Sequence, residues 1–265
     1  MNSKNLKLTW EQYGYIIFPD FIDETERTSL KQICDRILNQ IIADDKRYEN
    51  TTNIAFLTEP NYFIHHHQDL LKLLEFIAAP RILSILTQIS GQSPLFHNTQ
   101  YFYKPKQKSW DGIWHRDTQF NAPYSELEQQ RMSQMTGVHF RVAFEDDTRL
   151  EYVPGSHQRW DTEAELTIRK GNNPTQSEMP GRERIELKAG DACLFHAWGI
   201  HRGTYRAEIP RSTFDIIYGW GGLCDWGIPK PTCFADLSLL EELSNTAKIF
   251  YQNFIETYQS YWMTS

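Results

Sequence analysis

The segment Gly137-Val138-His139-Phe140-Arg141-Val142-Ala143-Phe144 alternates between apolar and other side chains. Successive side chains of a β-strand point to opposite faces, so His139 and Arg141 share one face of a predicted strand. The other face is apolar and consists of Val138, Phe140, Val142 and Phe144. If the apolar face packs outward against helices, Arg141 points into a cavity.

Further short β-rich runs lie on both sides of this segment and are separated by turn residues. They are Leu95 to Tyr103, Leu150 to Val153, Ala192 to His196 and Ser212 to Tyr218. Several short strands joined by loops are typical of a β-sandwich or barrel. We therefore predict a mainly β fold with flanking helices.

The flanking regions have helical periodicity. Apolar residues recur at helical spacing after Asp23 and Glu26, a pair that fits a capping box. A second helical region runs from about Leu70 to Ile89, with Pro80 dividing it. We predict one domain over residues 1–265, made of a helical part (about 1–92), a β core (about 93–222) and a C-terminal helical part (about 223–265).

Composition restricts the partners and the compartment. The net charge is -7, and Lys and Arg form no long run, so we expect neither nucleic acid nor an anionic membrane as a partner. No stretch approaches the roughly 20 apolar residues of a membrane helix. The cysteines are scattered and expected to be reduced (Cys34, Cys193, Cys224 and Cys233). We expect a cytoplasmic protein with a small-molecule substrate; its oligomeric state is not readable from the sequence.

The segment Trp114-His115-Arg116-Asp117 contains an H-x-D pair. In an extended segment these two side chains point to the same side and can bind one metal ion. His201 is the candidate third ligand, because two histidines and one carboxylate on one face form the facial triad of non-haem Fe(II) oxygenases. Two alternatives remain: His201 as a loop histidine bonded to backbone, and His196 as the distal ligand.

Arg211 follows His201 by ten residues, and Thr213 shares its face on the predicted strand. A guanidinium can bind a carboxylate through two hydrogen bonds, and a neighbouring hydroxyl adds another donor. This pattern indicates a carboxylate site close to the metal. The alternative is a surface salt bridge for Arg211.

These motifs together resemble the phytanoyl-CoA dioxygenase family of Fe(II)/2-oxoglutarate oxygenases. The matching pieces are Gly14-Tyr15-Ile16-Ile17, the H-x-D motif, Leu150-Glu151-Tyr152-Val153-Pro154-Gly155-Ser156-His157, Gly190-Asp191, Phe195-His196, His201, and Arg211 with Thr213. The resemblance implies a double-stranded β-helix, which is a cupin-like jelly roll. It further implies that His115, Asp117 and His201 bind Fe(II), that Arg211 and Thr213 bind the C5 carboxylate of 2-oxoglutarate, and that Asn98 touches this co-substrate.

The implied reaction uses O₂ and 2-oxoglutarate to oxidise a substrate C–H bond, with hydroxylation as the expected outcome. Desaturation, cyclisation or oxidative C–N cleavage on the same site are alternatives, as is a non-catalytic 2-oxoglutarate- or metal-binding protein. A sugar- or small-molecule-binding jelly roll without iron is a further alternative. Related halogenases lack the metal carboxylate, so the presence of Asp117 argues against halogenation.

Substrate contacts are expected from Arg141 and Arg149, which depart from the family's pattern. Two arginines near a pocket indicate a small anionic metabolite, in natural-product or amino-acid-derived metabolism; the alternative is a salt bridge to Glu145, Asp146 or Asp147. Trp114 and Phe120 are further candidates, unless they belong to the core. Another departure is Gly203, where some relatives carry a serine that binds 2-oxoglutarate and for which Thr204 is a possible substitute.

Overall fold

The computed structural model describes residues 3–122, 124–132, 136–175, 178–220 and 227–262. Within them, the strands form two antiparallel sheets. The strands are β1 (Tyr15–Phe18), β2 (Asn53–Ala55), β3 (Leu95–Tyr103), β4 (Trp110–Asp111), β5 (Val138–Ala143), β6 (Asp147–Tyr152), β7 (Glu183–Leu187), β8 (Ala192–His196), β9 (His201–Tyr205) and β10 (Ser212–Gly219). The larger sheet has the order β1-β8-β5-β10-β3-β2, and the smaller has the order β4-β9-β6-β7.

Strand β10 lies at the centre of the larger sheet, between β3 and β5. Its Thr213 pairs with Phe102 on one side and with Ala143 on the other, and Asp215 pairs with Gln100 and Arg141. The two sheets form the jelly-roll core that the sequence predicts. The inner face of β10 carries Thr213 and Asp215.

Helices surround the sheets. They are α1 (Ser3–Tyr13), α2 (Glu24–Asp44), α3 (His67–Ile77), α4 (Pro80–Ser90), α5 (Ser125–Arg131), α6 (Glu163–Lys170) and α7 (Asn245–Trp262). The side chain of Asp23 accepts a hydrogen bond from the backbone N–H of Glu26 at 2.8 Å and caps α2. This is the N-cap half of the predicted capping box, since the Glu26 carboxylate accepts from Arg81 instead. Pro80 opens α4, because its missing N–H costs nothing in the first helical turn.

Apolar side chains on the outer face of the larger sheet form the main hydrophobic core together with the helices. Val138, Phe140 and Val142 are fully buried there, which confirms the predicted apolar face of β5. Burying each such side chain contributes about 1.5–3 kcal/mol. Tyr218 of β10 donates a hydrogen bond to the carbonyl of Ile77 at 2.6 Å and so ties the sheet to α3. Because helices cover this face, the polar side chains of β5 and β10 point to the inside of the jelly roll.

In the described ranges, no helix is both long and apolar enough to cross a lipid bilayer. Cys34, Cys193 and Cys233 are buried free thiols. Cys224 lies outside the described residues.

Candidate active site

His115 and His201 lie side by side on an antiparallel bridge. The backbone N–H of His115 donates to the carbonyl of His201 at 3.0 Å, and the N–H of His201 donates back at 2.9 Å. Directly opposed side chains of such a pair point to the same face. Their ring centroids are therefore only 4.2 Å apart, although the residues are far apart in the chain.

Both imidazoles are oriented in the same way. Nδ1 of His115 lies 2.8 Å from the carbonyl oxygen of Ile113, and Nδ1 of His201 lies 2.8 Å from that of Gly199. Each Nδ1–H donates to this carbonyl, which leaves the Nε2 lone pair free for a metal. Burial and the nearby His115 lower the pKa of His201 to about 3, so its ring is neutral, as a ligand must be.

Asp117 completes the cluster. Its Oδ1 lies 3.3 Å from Nε2 of His115 and 3.6 Å from Nε2 of His201. One ligand atom from each residue fits within 4.8 Å of the others. Ligands about 2.1 Å from a shared octahedral ion lie about 3 Å apart when adjacent, so the spacing suits one metal. Burial would raise the pKa of Asp117, but the neighbouring histidines lower it well below its ordinary range.

The buried Arg116 guanidinium fixes the metal motif to two loops. Nη1 donates to the carbonyls of Ser156, at 2.7 Å, and Trp198, while Nε donates to Asp161 at 2.9 Å. The hydroxyl of Ser156 accepts a hydrogen bond from the N–H of Ile200 at 2.8 Å. The loop around residue 156 therefore supports both the H-x-D segment and the strand that begins at His201.

Gly199 has no room for a side chain. A Cβ there would overlap the hydroxyl and ring of the buried Tyr152. We expect Gly199→Ala to lower the free energy of unfolding by about 1–3 kcal/mol, as overpacking does, and to weaken metal binding through His201. Urea unfolding measures the first effect and Co(II) titration the second. Tyr152→Leu makes space, so the double variant should lose less than the sum of the two single losses; additive losses would contradict the steric explanation.

Arg211 lies directly before β10 and lines the site cavity, whereas Thr213, two residues later on β10, is not among the lining residues. Both are buried, and among the described residues no hydrogen bond reaches Nε, Nη1 or Nη2 of Arg211 or Oγ1 of Thr213. The nearest acid to Arg211 is Asp147, whose Oδ2 lies 3.5 Å from Nη2. Buried polar atoms normally have hydrogen-bond partners. This pair can therefore receive a carboxylate.

The triad and Arg211 open into one cavity of about 430 Å³ between the two sheets. Phe120 lies at its edge, with its ring centroid 5.4 Å from that of His115. Arg141 also lines the cavity, and this confirms the predicted orientation of β5. The further lining side chains come from both sheets: Asn53, Gln100, Phe102, His139, Leu150, Phe195 and Tyr205.

Other predicted contacts lie elsewhere. The Asn98 side chain accepts hydrogen bonds from the backbone N–H groups of Phe56 (3.2 Å) and Thr99 (2.7 Å), and Gln100 is the polar β3 residue in the cavity lining. Trp114 is buried with Val153, Met179 and Ile200 in a separate apolar cluster. Neither Arg149 nor Thr204 belongs to the lining, whereas Gly203 does.

Neither His139 nor Asp215 was predicted from the sequence to be a site residue. Nε2 of His139 lies 2.9 Å from Oδ2 of Asp117, and Nδ1 of His139 lies 3.3 Å from Oδ2 of Asp215. Burial would lower the pKa of His139, but its contacts with both carboxylates raise it to about 9. Alternation could have identified Asp215, because it shares the inner face of β10 with Arg211 and Thr213.

Arg141 forms an ion pair with Asp215 across adjacent strands. Its Nε donates to Oδ1 at 2.7 Å and its Nη2 to Oδ2 at 2.8 Å. Burial would raise the pKa of Asp215, but Arg141 lowers it to about 2. The local acids Glu145, Asp146 and Asp147 are therefore not the hydrogen-bonded partners of Arg141.

Three solved structures illustrate the similarity of the fold. The carbocyclase SnoK from nogalamycin biosynthesis, described as non-haem and α-ketoglutarate dependent, is 18% identical, with 92% of this chain and 91% of that chain covered and a TM-score of 0.61. EctD from S. alaskensis, crystallised with 2-oxoglutarate and 5-hydroxyectoine, is 18% identical, with coverages of 83% and 76% and a TM-score of 0.60. HygX from Streptomyces hygroscopicus, with nickel and 2-oxoglutarate bound, is 15% identical, with coverages of 85% and 90% and a TM-score of 0.60.

The family follows from comparison of the amino-acid sequence with family models. No curated protein sequence matches this chain. The family model described as phytanoyl-CoA dioxygenase (PhyH) matches residues 10–211, a range that includes the H-x-D pair, His201 and Arg211. The chain thus belongs to the phytanoyl-CoA dioxygenase family of Fe(II)- and 2-oxoglutarate-dependent oxygenases.

Proposed function

We propose that this protein hydroxylates a C–H bond of a small metabolite, with residues 1–265 acting as one oxygenase domain. His115, Asp117 and His201 would hold Fe(II), and Arg211 with Thr213 would bind the C5 carboxylate of 2-oxoglutarate. The reaction converts substrate, 2-oxoglutarate and O₂ into hydroxylated substrate, succinate and CO₂. The family membership supports the reaction class, and the residues support the assignment of roles.

The observation that supports this proposal most strongly is the lack of hydrogen-bond partners for the buried Arg211 guanidinium within the described residues. A guanidinium buried among the described residues without a hydrogen bond is costly, whereas a carboxylate that binds it through two hydrogen bonds offsets the cost. The Thr213 hydroxyl, equally lacking a hydrogen-bond partner within that part of the chain, supplies another donor on the same face. A dicarboxylic co-substrate is the ligand that these groups suit.

When bound, iron and 2-oxoglutarate supply the oxidising chemistry. The protein contributes three things to it. The paired backbone hydrogen bonds fix the two imidazoles, the ionised Asp117 supplies the anionic ligand, and the apolar walls limit water. These walls include Phe102, Leu150 and Phe195.

The substrate is expected to contact Arg141 and Phe120, which both line the cavity. An anionic substrate is proposed because Nη1 of Arg141 is left to bind it. The Nε and Nη2 atoms of Arg141 already donate to Asp215. In the described structure, Nη1 is buried without a hydrogen bond, so it can donate to a carboxylate or phosphate oxygen. Arg149 and Trp114 lie outside the lining and receive no support as contacts. Natural-product or amino-acid-derived metabolism is the proposed context.

Desaturation, cyclisation and C–N cleavage require the same site and remain the alternative outcomes, together with non-catalytic binding. The mass of the product separates them, since hydroxylation adds one oxygen atom and desaturation removes two hydrogen atoms. The non-catalytic alternative predicts that no succinate forms under any condition.

The experiment is a succinate assay with small carboxylates and phosphates as candidate substrates. We expect succinate to form only when Fe(II), 2-oxoglutarate and O₂ are all present, with a substrate-dependent increase for the correct compound. Omission of each component is the control. Protein that binds both iron and 2-oxoglutarate but forms no succinate with or without substrate would contradict an oxygenase function.

A further inference from the structure

The two carboxylate oxygens of Asp117 have different partners. Oδ1 faces the Nε2 atoms of His115 and His201, at 3.3 and 3.6 Å. Oδ2 accepts a hydrogen bond from Nε2 of His139 at 2.9 Å. One oxygen is thus directed to the candidate metal position, and the other is occupied by a protein donor.

His139 is itself held on two sides. Its ring is parallel to that of Phe195, with an interplanar angle of 1° and centroids 4.5 Å apart. Its Nδ1 lies 3.3 Å from Asp215, and Asp215 receives two hydrogen bonds from Arg141. All these side chains are buried.

We propose that His139 is a positioning residue that keeps Asp117 a monodentate metal ligand, and that Asp215 and Arg141 keep His139 in place. This inference rests on the metal site proposed above. Two imidazoles and one carboxylate oxygen leave three of six octahedral positions open. A second oxygen from Asp117 would occupy a position that the co-substrate or O₂ requires.

His139 is not itself placed as a ligand. The group of residues whose ligand atoms converge consists of His115, Asp117 and His201, while Nε2 of His139 is engaged with Asp117. The simpler explanation is a buried histidine that only stabilises the core. A variant that keeps an aromatic ring but removes the hydrogen-bond donor distinguishes a core-stabilising role from a positioning role.

The test is an anaerobic titration of the apoprotein with Co(II), followed by the d–d absorption of the bound ion. His139→Phe keeps an aromatic ring against Phe195 but removes the donor. We expect Co(II) affinity to fall about 10- to 100-fold, as it does when a residue supporting a metal ligand is lost, and the absorption bands to shift. His139→Gln retains an N–H donor and should restore most of both properties.

His97→Gln is the matched control, because His97 is an equally buried histidine of the same sheet, bound to the carbonyl of Gly227. It should leave Co(II) binding and the spectrum unchanged. Wild-type protein that binds no Co(II) would refute the proposed metal site itself. Wild-type binding with an identical affinity and spectrum in His139→Phe would refute the positioning role alone.

If His139→Phe does not fold, the comparison of His139→Gln with His139→Asn decides. Both carry an amide, but the asparagine side chain is shorter and does not reach Asp117. We then expect the Asn variant to bind Co(II) more weakly than the Gln variant. Equal, wild-type binding by both would overturn the inference.

Discussion

Replacement of Asp117 by alanine is expected to lower Fe(II) affinity by more than about 100-fold and to reduce 2-oxoglutarate turnover to background. The magnitude exceeds the roughly 10- to 100-fold loss seen when only a supporting residue is removed, because a ligand is lost here. The variant also leaves the N–H of His139 without its acceptor, which costs about 1–3 kcal/mol of folding free energy. Calorimetric metal titration and a succinate assay measure the two functional effects.

Asp146→Ala is the control for removal of a carboxylate. Asp146 is exposed and pairs with Lys188, so its loss should change neither metal binding nor turnover. Circular dichroism establishes that the Asp117 variant is folded. A folded Asp117→Ala protein with wild-type Fe(II) affinity would show that this carboxylate is not a ligand.

Replacement of Arg211 by methionine is expected to weaken 2-oxoglutarate binding by roughly 30- to 5,000-fold. Truncating one partner of a buried, hydrogen-bonded charge pair costs about 2–5 kcal/mol, which corresponds to this range. Arg211 is buried on the inner face of the larger sheet and binds no metal ligand, so Fe(II) affinity should remain unchanged. The measurement is the Kd of 2-oxoglutarate for the anaerobic Fe(II) protein.

Arg211→Lys separates charge from geometry, because lysine keeps the charge but cannot form the paired hydrogen bonds. We expect its Kd to lie between those of the wild type and Arg211→Met. Arg184→Ala is the control, since Arg184 is a half-exposed arginine paired with Glu151. Wild-type 2-oxoglutarate affinity in Arg211→Met would assign the carboxylate site to other residues.

Strands that are long or strongly apolar in sequence were predictable. β3 and β8 begin and end at the predicted residues, since each is a long or strongly apolar run. β9 (His201–Tyr205) was not predicted, because His-Arg-Gly-Thr-Tyr has no alternation of apolar residues. It forms a strand through its pairing with β6, from Leu150 to Tyr152, a tertiary contact that local propensity does not contain.

Two parts of the candidate site were predictable, because residues two apart in an extended segment point to the same side. The H-x-D pair and the Arg211–Thr213 pair are of this kind. The ion pair of Arg141 was not, because Asp215 lies opposite it on a neighbouring strand, while the acids beside it in sequence point elsewhere. The contact between His139 and Asp117 has the same origin, since only the sheet register brings the two residues together.

The most direct test of the central claim is an anaerobic titration of the purified apoprotein with Fe(II) and 2-oxoglutarate, followed by visible absorption. We predict a weak metal-to-ligand charge-transfer band. At a 2-oxoglutarate concentration that just saturates the wild type, this band should be lost in Asp117→Ala and Arg211→Met. Folded protein that binds Fe(II) but gives no band at saturating 2-oxoglutarate would contradict the proposal that Fe(II) and 2-oxoglutarate bind together at this site.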